Sequence, residues 1–250
     1  MTETRIDDFL GGRLKIRQPV PGYRAGADAV MLAAACPARP GHKVLELGCG
    51  VGVASLCLAA RVPDLALSGV ERDPGYAALA RANAARNQIA MDVIEADLAV
   101  LPAALRGLSF DHVMMNPPFF AAGTRAPAGS RADARHEETP LAFWLDTGLR
   151  RLKPGGQLTV IHLAARLDGL LAGLAGRAGD IAILPISARA GRDAGRVILS
   201  ARKGSRAPLR LLAPFIMHNA PRHEKDREDF TEAAQSVLRF CEALELGAGD

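Results

Sequence analysis

Four short stretches place reactive residue types beside turns. In "LELGCGVG" (45–52), Glu46 precedes Gly48, Gly50 and Gly52. Glu71 closes "LALSGVE" (65–71) and Asp97 closes "MDVIEAD" (91–97). Asn116 ends "FDHVMMN" (110–116) and is followed by Pro117, Pro118, Phe119 and Phe120. Glycines after a strand let the backbone turn sharply and let a ligand come close. A carboxylate ahead of them suits a ligand carrying an amine, because it attracts ammonium and repels phosphate. Dinucleotide sites use G-x-G-x-x-G, and here Val53 stands where that pattern wants its last glycine. Glu71 is placed to accept both hydroxyls of a ribose, and Asp97 to accept from an adenine amino group.

Alone, each acid would read as a solvated strand end. In sequence, amine, ribose and adenine describe S-adenosylmethionine, and Asp28 is a further candidate for its methionine end, with Arg24 beside it. The Asn-Pro-Pro-Phe corner then has a chemical reason. An exocyclic amine conjugated to a ring is a poor nucleophile because its lone pair is delocalised. Acceptors aimed at its hydrogens, the Asn116 amide oxygen and the Pro117 carbonyl, would turn the lone pair toward the methyl and stabilise developing positive charge. Prolines fix φ and remove donors, so the corner is stiff. Phe119 can stack on a planar base, worth about 1–3 kcal/mol. No ionisable base is required there.

These residues need a frame to position them. Strands are expected at 42–48, 65–71, 91–97, 110–116, 157–163, 181–186 and 195–204, with a further one within 210–218. Helices are expected at 51–62, 74–87, 139–156, 167–179 and 229–246. Such alternation indicates βαβ units and a doubly wound, mostly parallel sheet. Residues 1–41 read as a lead-in packed on the core, with an extended or hairpin segment and a helix from Asp28 to Pro37. Residues 42–250 complete one domain. The loop from Phe119 to Thr139 is 21 residues long, a length usually functional or disordered.

Composition is ordinary for a soluble globular protein: 49% hydrophobic, 23% charged, net charge +4. Of 31 basic residues 26 are Arg, which suits phosphate and bases. No apolar run reaches the roughly 20 residues of a membrane span, and no signal peptide is evident. The four cysteines lack C-x-x-C pairing, so reduced thiols and a cytoplasmic location are expected. Neither Cys nor His spacing suggests a metal, and nothing fixes an oligomeric state.

Over residues 42–163 the chain resembles class I S-adenosylmethionine-dependent methyltransferases. That implies a Rossmann-like, seven-stranded sheet with an antiparallel last strand. "NPPF" (116–119) resembles the motif of amino-methyltransferases acting on adenine, cytosine, guanine or glutamine amides. Glutamine enzymes carry a helical N-terminal domain, which 41 mixed residues do not supply. Guanine-N2 rRNA enzymes commonly carry a duplicated half, absent here. The chain is most similar to bacterial tRNA1(Val) adenine-N6 methyltransferases, through "YRAGADAVMLAA" (23–34), "RADARHEET" (131–139), "GRVILSARKGSRAPLRLLAPFIMH" (195–218) and "DFTEAA" (229–234). Many of that family have Tyr at the position of Phe119. The resemblance implies an RNA substrate, a tRNA above all. Arg125, Arg131, Arg135 and His136 on the long loop, and Arg189, Arg192, Arg202, Lys203, Arg206 and Arg210 later, would then form an RNA-binding face.

Overall fold

A computed structural model describes residues 3–118, 139–220, 229–240 and 242–247. A hairpin, β1 (Thr4–Phe9) and β2 (Leu14–Pro19), leads into α1 (Ala27–Ala35). Then follow β3 (Lys43–Leu47), α2 (Val53–Arg61), β4 (Ala66–Glu71), α3 (Pro74–Arg86), β5 (Met91–Glu95), α4 (Ala103–Arg106) and β6 (Phe110–Met115). The second half holds α5 (Leu141–Arg151), β7 (Leu152–Leu163), α6 (Leu167–Leu174), β8 (Ala178–Arg189), β9 (Ala194–Lys203), β10 (Arg210–Leu211), β11 (Phe215–His218) and α7 (Glu232–Phe240).

Seven long strands lie in the order β8-β9-β7-β6-β3-β4-β5, and only β9 runs against the rest. The expected seven-stranded, mostly parallel sheet is present, and two short strands, β10 and β11, extend it by pairing parallel to β8. The strand expected near 210–218 is split in two, with Pro214 between the halves offering no N–H to a ladder.

Strands buried on both faces read as continuous apolar runs, and β6 shows why. Val113, Met114 and Met115 are each fully buried, on alternating faces of the sheet. Burying each such side chain contributes about 1.5–3 kcal/mol. One face packs on α1 and α2, the other on α4, α5 and α6. The lead-in hairpin is tied to α3 by two asparagines one turn apart. Asn83 and Asn87 each accept a backbone N–H from β2 and donate to a backbone carbonyl of the same residue, Arg17 and Lys15 respectively.

Three helices are shorter than the sequence suggests, for local reasons. α5 stops at Arg151 rather than running to Gly156, because Lys153 precedes Pro154 and that position disfavours helical geometry. α6 stops before Gly176, which takes a left-handed φ of +70°. α7 starts at Glu232 because Thr231 caps it, its Oγ1 accepting from the Ala234 N–H. Cys36, Cys49 and Cys57 are buried in the core. Among the described residues, no helix is long and apolar enough to cross a membrane.

Candidate active site

Register assembles the site. Parallel pairing aligns Leu47 with Val70 and Met115, and Glu71 with Glu95. The residues just past these pairs, Gly48, Glu71, Asp97 and Asn116, therefore stand along the carboxyl edge of the sheet. Strand order reverses between β3 and β6, and such switch points open the crevice where α/β proteins bind ligands. A cavity of about 300 Å³ lies there, and Glu46, Gly48, Gly50, Glu71, Asp97, Asn116 and Pro117 all line it.

The glycine turn is shaped by both partners of its backbone. Gly48, Gly50 and Gly52 have φ of +68°, +53° and +89°, a region costly for other residues. A Cβ on Gly48 would lie 2.6 Å from the Trp144 ring, so the ring of α5 can sit against the turn only because Gly48 has none. A Cβ on Gly50 would meet nothing within 4 Å, so that side of the turn is open to a ligand.

Glu71 is buried, and its two carboxylate oxygens accept from the Gly50 N–H and the Asp73 N–H, both at 2.9 Å. One side chain thus fixes the glycine turn against the start of α3, and each oxygen still has a lone pair for a hydroxyl. Asp97 is exposed and caps the 3-10 turn Leu98–Val100 by accepting from the Ala99 N–H at 2.8 Å.

Glu46 is the most perturbed acid of the cavity. Its Oε2 accepts from Ser55 twice, from the N–H at 3.0 Å and from the hydroxyl at 2.5 Å. Burial pushes its pKa up to about 7 in spite of these bonds, and the neighbouring Glu71 charge adds to the rise. A buried carboxylate so short of compensation gains from a cation docked against it. At the end of the neighbouring strand, the Asn116 Oδ1 is buried and without a hydrogen-bond partner among the described residues. Such an acceptor costs about 1–3 kcal/mol until a donor arrives. A cavity that holds both an acid short of a cation and an acceptor short of a donor fits an ammonium-bearing cofactor and an amine substrate.

Asp28 and Arg24 are not brought to the cavity wall. Asp28 pairs with Arg196 of β9 at 3.1 Å, and Arg24 pairs with Asp7 of β1 at 2.7 Å. Their neighbours Tyr23 and Ala25 line the cavity instead. Burial around its hydroxyl, and then the Asp28 and Glu46 carboxylates, push the Tyr23 pKa up, although the residue as a whole leaves 52% of its surface in solvent. Tyr76 and Trp144 also line the cavity. Sequence reasoning missed all three aromatic residues, because each arrives from an element whose docking is set by long-range packing. Phe119, Arg125, Arg131, Arg135 and His136 lie outside the described residues.

The late arginines do not share one face. Arg189 ends β8 at the carboxyl edge, where Ser187 pairs with Ala194 at the start of β9, whereas Arg202 near the end of antiparallel β9 stands beside Gln157 toward the far edge. Arg202 is bound there to Asp180 and the Gly155 carbonyl, and Lys203 to the Leu152 carbonyl. The expected single RNA face is therefore divided between the two edges of the sheet.

Comparison with known proteins agrees with this geometry. Residues 26–168 match the family described as "Methyltransferase small domain". The tRNA1(Val) (adenine(37)-N6)-methyltransferase of Porphyromonas gingivalis is 36% identical over 173 residues, 66% of this chain and 68% of that protein. The enzyme of the same name from Dickeya chrysanthemi is 32% identical over 201 residues, 76% of this chain and 77% of that protein. The crystal structure of a predicted O-methyltransferase from Agrobacterium tumefaciens superposes with a TM-score of 0.69 at 29% identity, covering 87% of this chain and 98% of that one. The order of strands, the glycine turn and its acids, and these relatives lead to one conclusion: the chain belongs to the methyltransferase small domain family and is an S-adenosylmethionine-dependent methyltransferase.

Proposed function

We propose that this methyltransferase acts on the exocyclic N6 amine of an adenine in RNA, a tRNA in the cytoplasm. The observation that carries the reading is the buried Oδ1 of Asn116, without a partner among the described residues, in a stiff Asn-Pro-Pro corner on the cavity wall. The names of the relatives from P. gingivalis and D. chrysanthemi support adenine N6 and tRNA.

In this reading Glu71 takes the ribose hydroxyls, Asp97 the adenine amino group, and Glu46 the ammonium, with Gly48 and Gly50 giving backbone access. Asp28 acts through Tyr23 and Arg196 rather than by direct contact. When bound, the cofactor supplies an electrophilic methyl group. Asn116 Oδ1 and the Pro117 carbonyl accept the two amine hydrogens, which orients the nitrogen lone pair and stabilises the positive charge that grows on it. Phe119 stacks on the base, and Arg125, Arg131, Arg135 and His136 contact the RNA around it. The target base must be unpaired or flipped out to reach the corner.

Neutral acceptors distinguish this corner from a site for oxygen methylation. A hydroxyl carries one hydrogen and gains from a base, whereas an amino group carries two and releases its proton once it is cationic. Nucleoside mass spectrometry of tRNA from a deletion strain tests the reading. N6-methyladenosine should be missing and return with the wild-type gene; an unchanged nucleoside profile would reject the substrate assignment.

A further inference from the structure

A second cavity of about 360 Å³ lies between α5 and the segment that runs from β5 into α4. Leu98 belongs to its wall and to the wall of the catalytic cavity, so the two are neighbours. Its apolar side is made by Leu98, Val100, Leu101 and Phe143. Val100 leaves 78% of its surface in solvent, and Phe143 is half-buried. An aliphatic side chain so exposed beside an accessible ring offers a place for something flat and apolar.

The rest of the wall is cationic. Arg106, Arg150 and Arg151 face one acid, Asp146. That acid is shared, since Arg150 and Arg177 each reach it, at 2.8 and 2.9 Å. Arg151 is structural, donating to the carbonyls of Leu105 and Arg106 and so joining the two walls. Arg106 is exposed and has no ion pair among the described residues, and the Arg150 side chain is 69% exposed.

Phe143 and Arg150 are two turns apart on α5, and so on one face of the helix. The rise between them is about 10 Å. The ring stands at the end near the catalytic cavity and the cation at the far end. An aromatic platform followed by cations is how proteins hold a single strand of nucleic acid.

We propose that this groove is a second RNA subsite, holding a nucleotide that does not react. Its base lies against Phe143 and Val100, and its phosphates meet Arg106 and Arg150. The proposal rests on the RNA reading of the substrate given above. The test uses the full-length protein, an unmodified tRNA transcript, and a short adenine-rich single-stranded RNA. Binding is measured by anisotropy across a salt series for wild type, Arg106→Glu/Arg150→Glu and Val100→Asp. The arginine pair should lose at least about tenfold in affinity, and the slope of log K against log salt should shrink by about 1.4, from roughly 0.7 per lost phosphate contact. Val100→Asp should weaken both RNAs by placing an anion at the groove mouth. Cofactor affinity by calorimetry should stay at the wild-type value in every variant. Wild-type RNA affinity and slope in both variants would overturn the subsite while leaving the proposed function standing. A wild-type protein that bound neither RNA would instead reject the RNA reading beneath it. If the arginine pair melts early, Val100→Asp decides, because its side chain is already in solvent.

Discussion

Glu46→Gln should make the protein more stable at high pH and worse at its task. The folded carboxyl titrates near 7 because it is buried, against an ordinary 4.5. Between those values the native chain holds a proton that the unfolded chain has released. Stability therefore falls as pH rises from about 4.5 to about 7, and is level above. The difference, at roughly 1.4 kcal/mol per pH unit, amounts to about 3 kcal/mol above pH 7. Glutamine keeps an acceptor for the Ser55 N–H and hydroxyl but adds an amide that needs partners, at a cost of about 1–3 kcal/mol. The absolute gain is thus small, but its pH dependence is not. The stability difference between variant and wild type should move in favour of the variant by about 2–3 kcal/mol between pH 5 and pH 8. Urea unfolding of the cofactor-free proteins at the two pH values measures it. In parallel, calorimetry should show wild-type cofactor affinity falling toward about tenfold per pH unit below pH 7, as the carboxylate that holds the ammonium is protonated. The variant should bind weakly with little pH dependence. A stability difference equal at pH 5 and pH 8 would refute the burial argument, and a wild-type affinity flat across pH 6 to 8 would refute the ammonium role.

Other substitutions separate holding from shaping. Glu71→Ala should lower cofactor affinity and also lower the melting temperature, because the N–H groups of Gly50 and Asp73 lose their acceptor, at about 1–3 kcal/mol; unchanged values of both would remove Glu71 from the site. Gly48→Ala should cost about 1–3 kcal/mol of stability from overpacking against Trp144, and Trp144→Leu in the same chain should restore part of it. Equal stability of the single and double variants, read by thermal melts, would exclude the ring as the cause.

The strand ends were legible because their signals are local. Apolar runs, a glycine turn and acids at regular places mark β3 to β6, and parallel pairing then aligns Gly48, Glu71 and Asn116 without further information. What escaped depends on contacts distant in sequence. Asp28 has the right type and place in the lead-in, yet Arg196, far along the chain, takes its carboxylate. Trp144 reads as an ordinary core residue of an amphipathic helix, and only the missing Cβ of Gly48 lets it reach the cavity. Arg189 and Arg202 are close in sequence, but β9 carries the chain from one edge of the sheet to the other between them. The groove beside α5 was equally hidden, since Phe143 and Arg106 come from different elements.

The central claim is that Asn116 serves the reaction and not the cofactor, and Asn116→Ala tests it most directly. Cofactor affinity is measured by calorimetry and methyl transfer from labelled cofactor to an unmodified tRNA transcript by nucleoside analysis. Affinity should stay near wild type while turnover falls by about 10²–10³, the usual loss for a group that stabilises developing charge. Lost cofactor affinity, or turnover close to wild type, would contradict it.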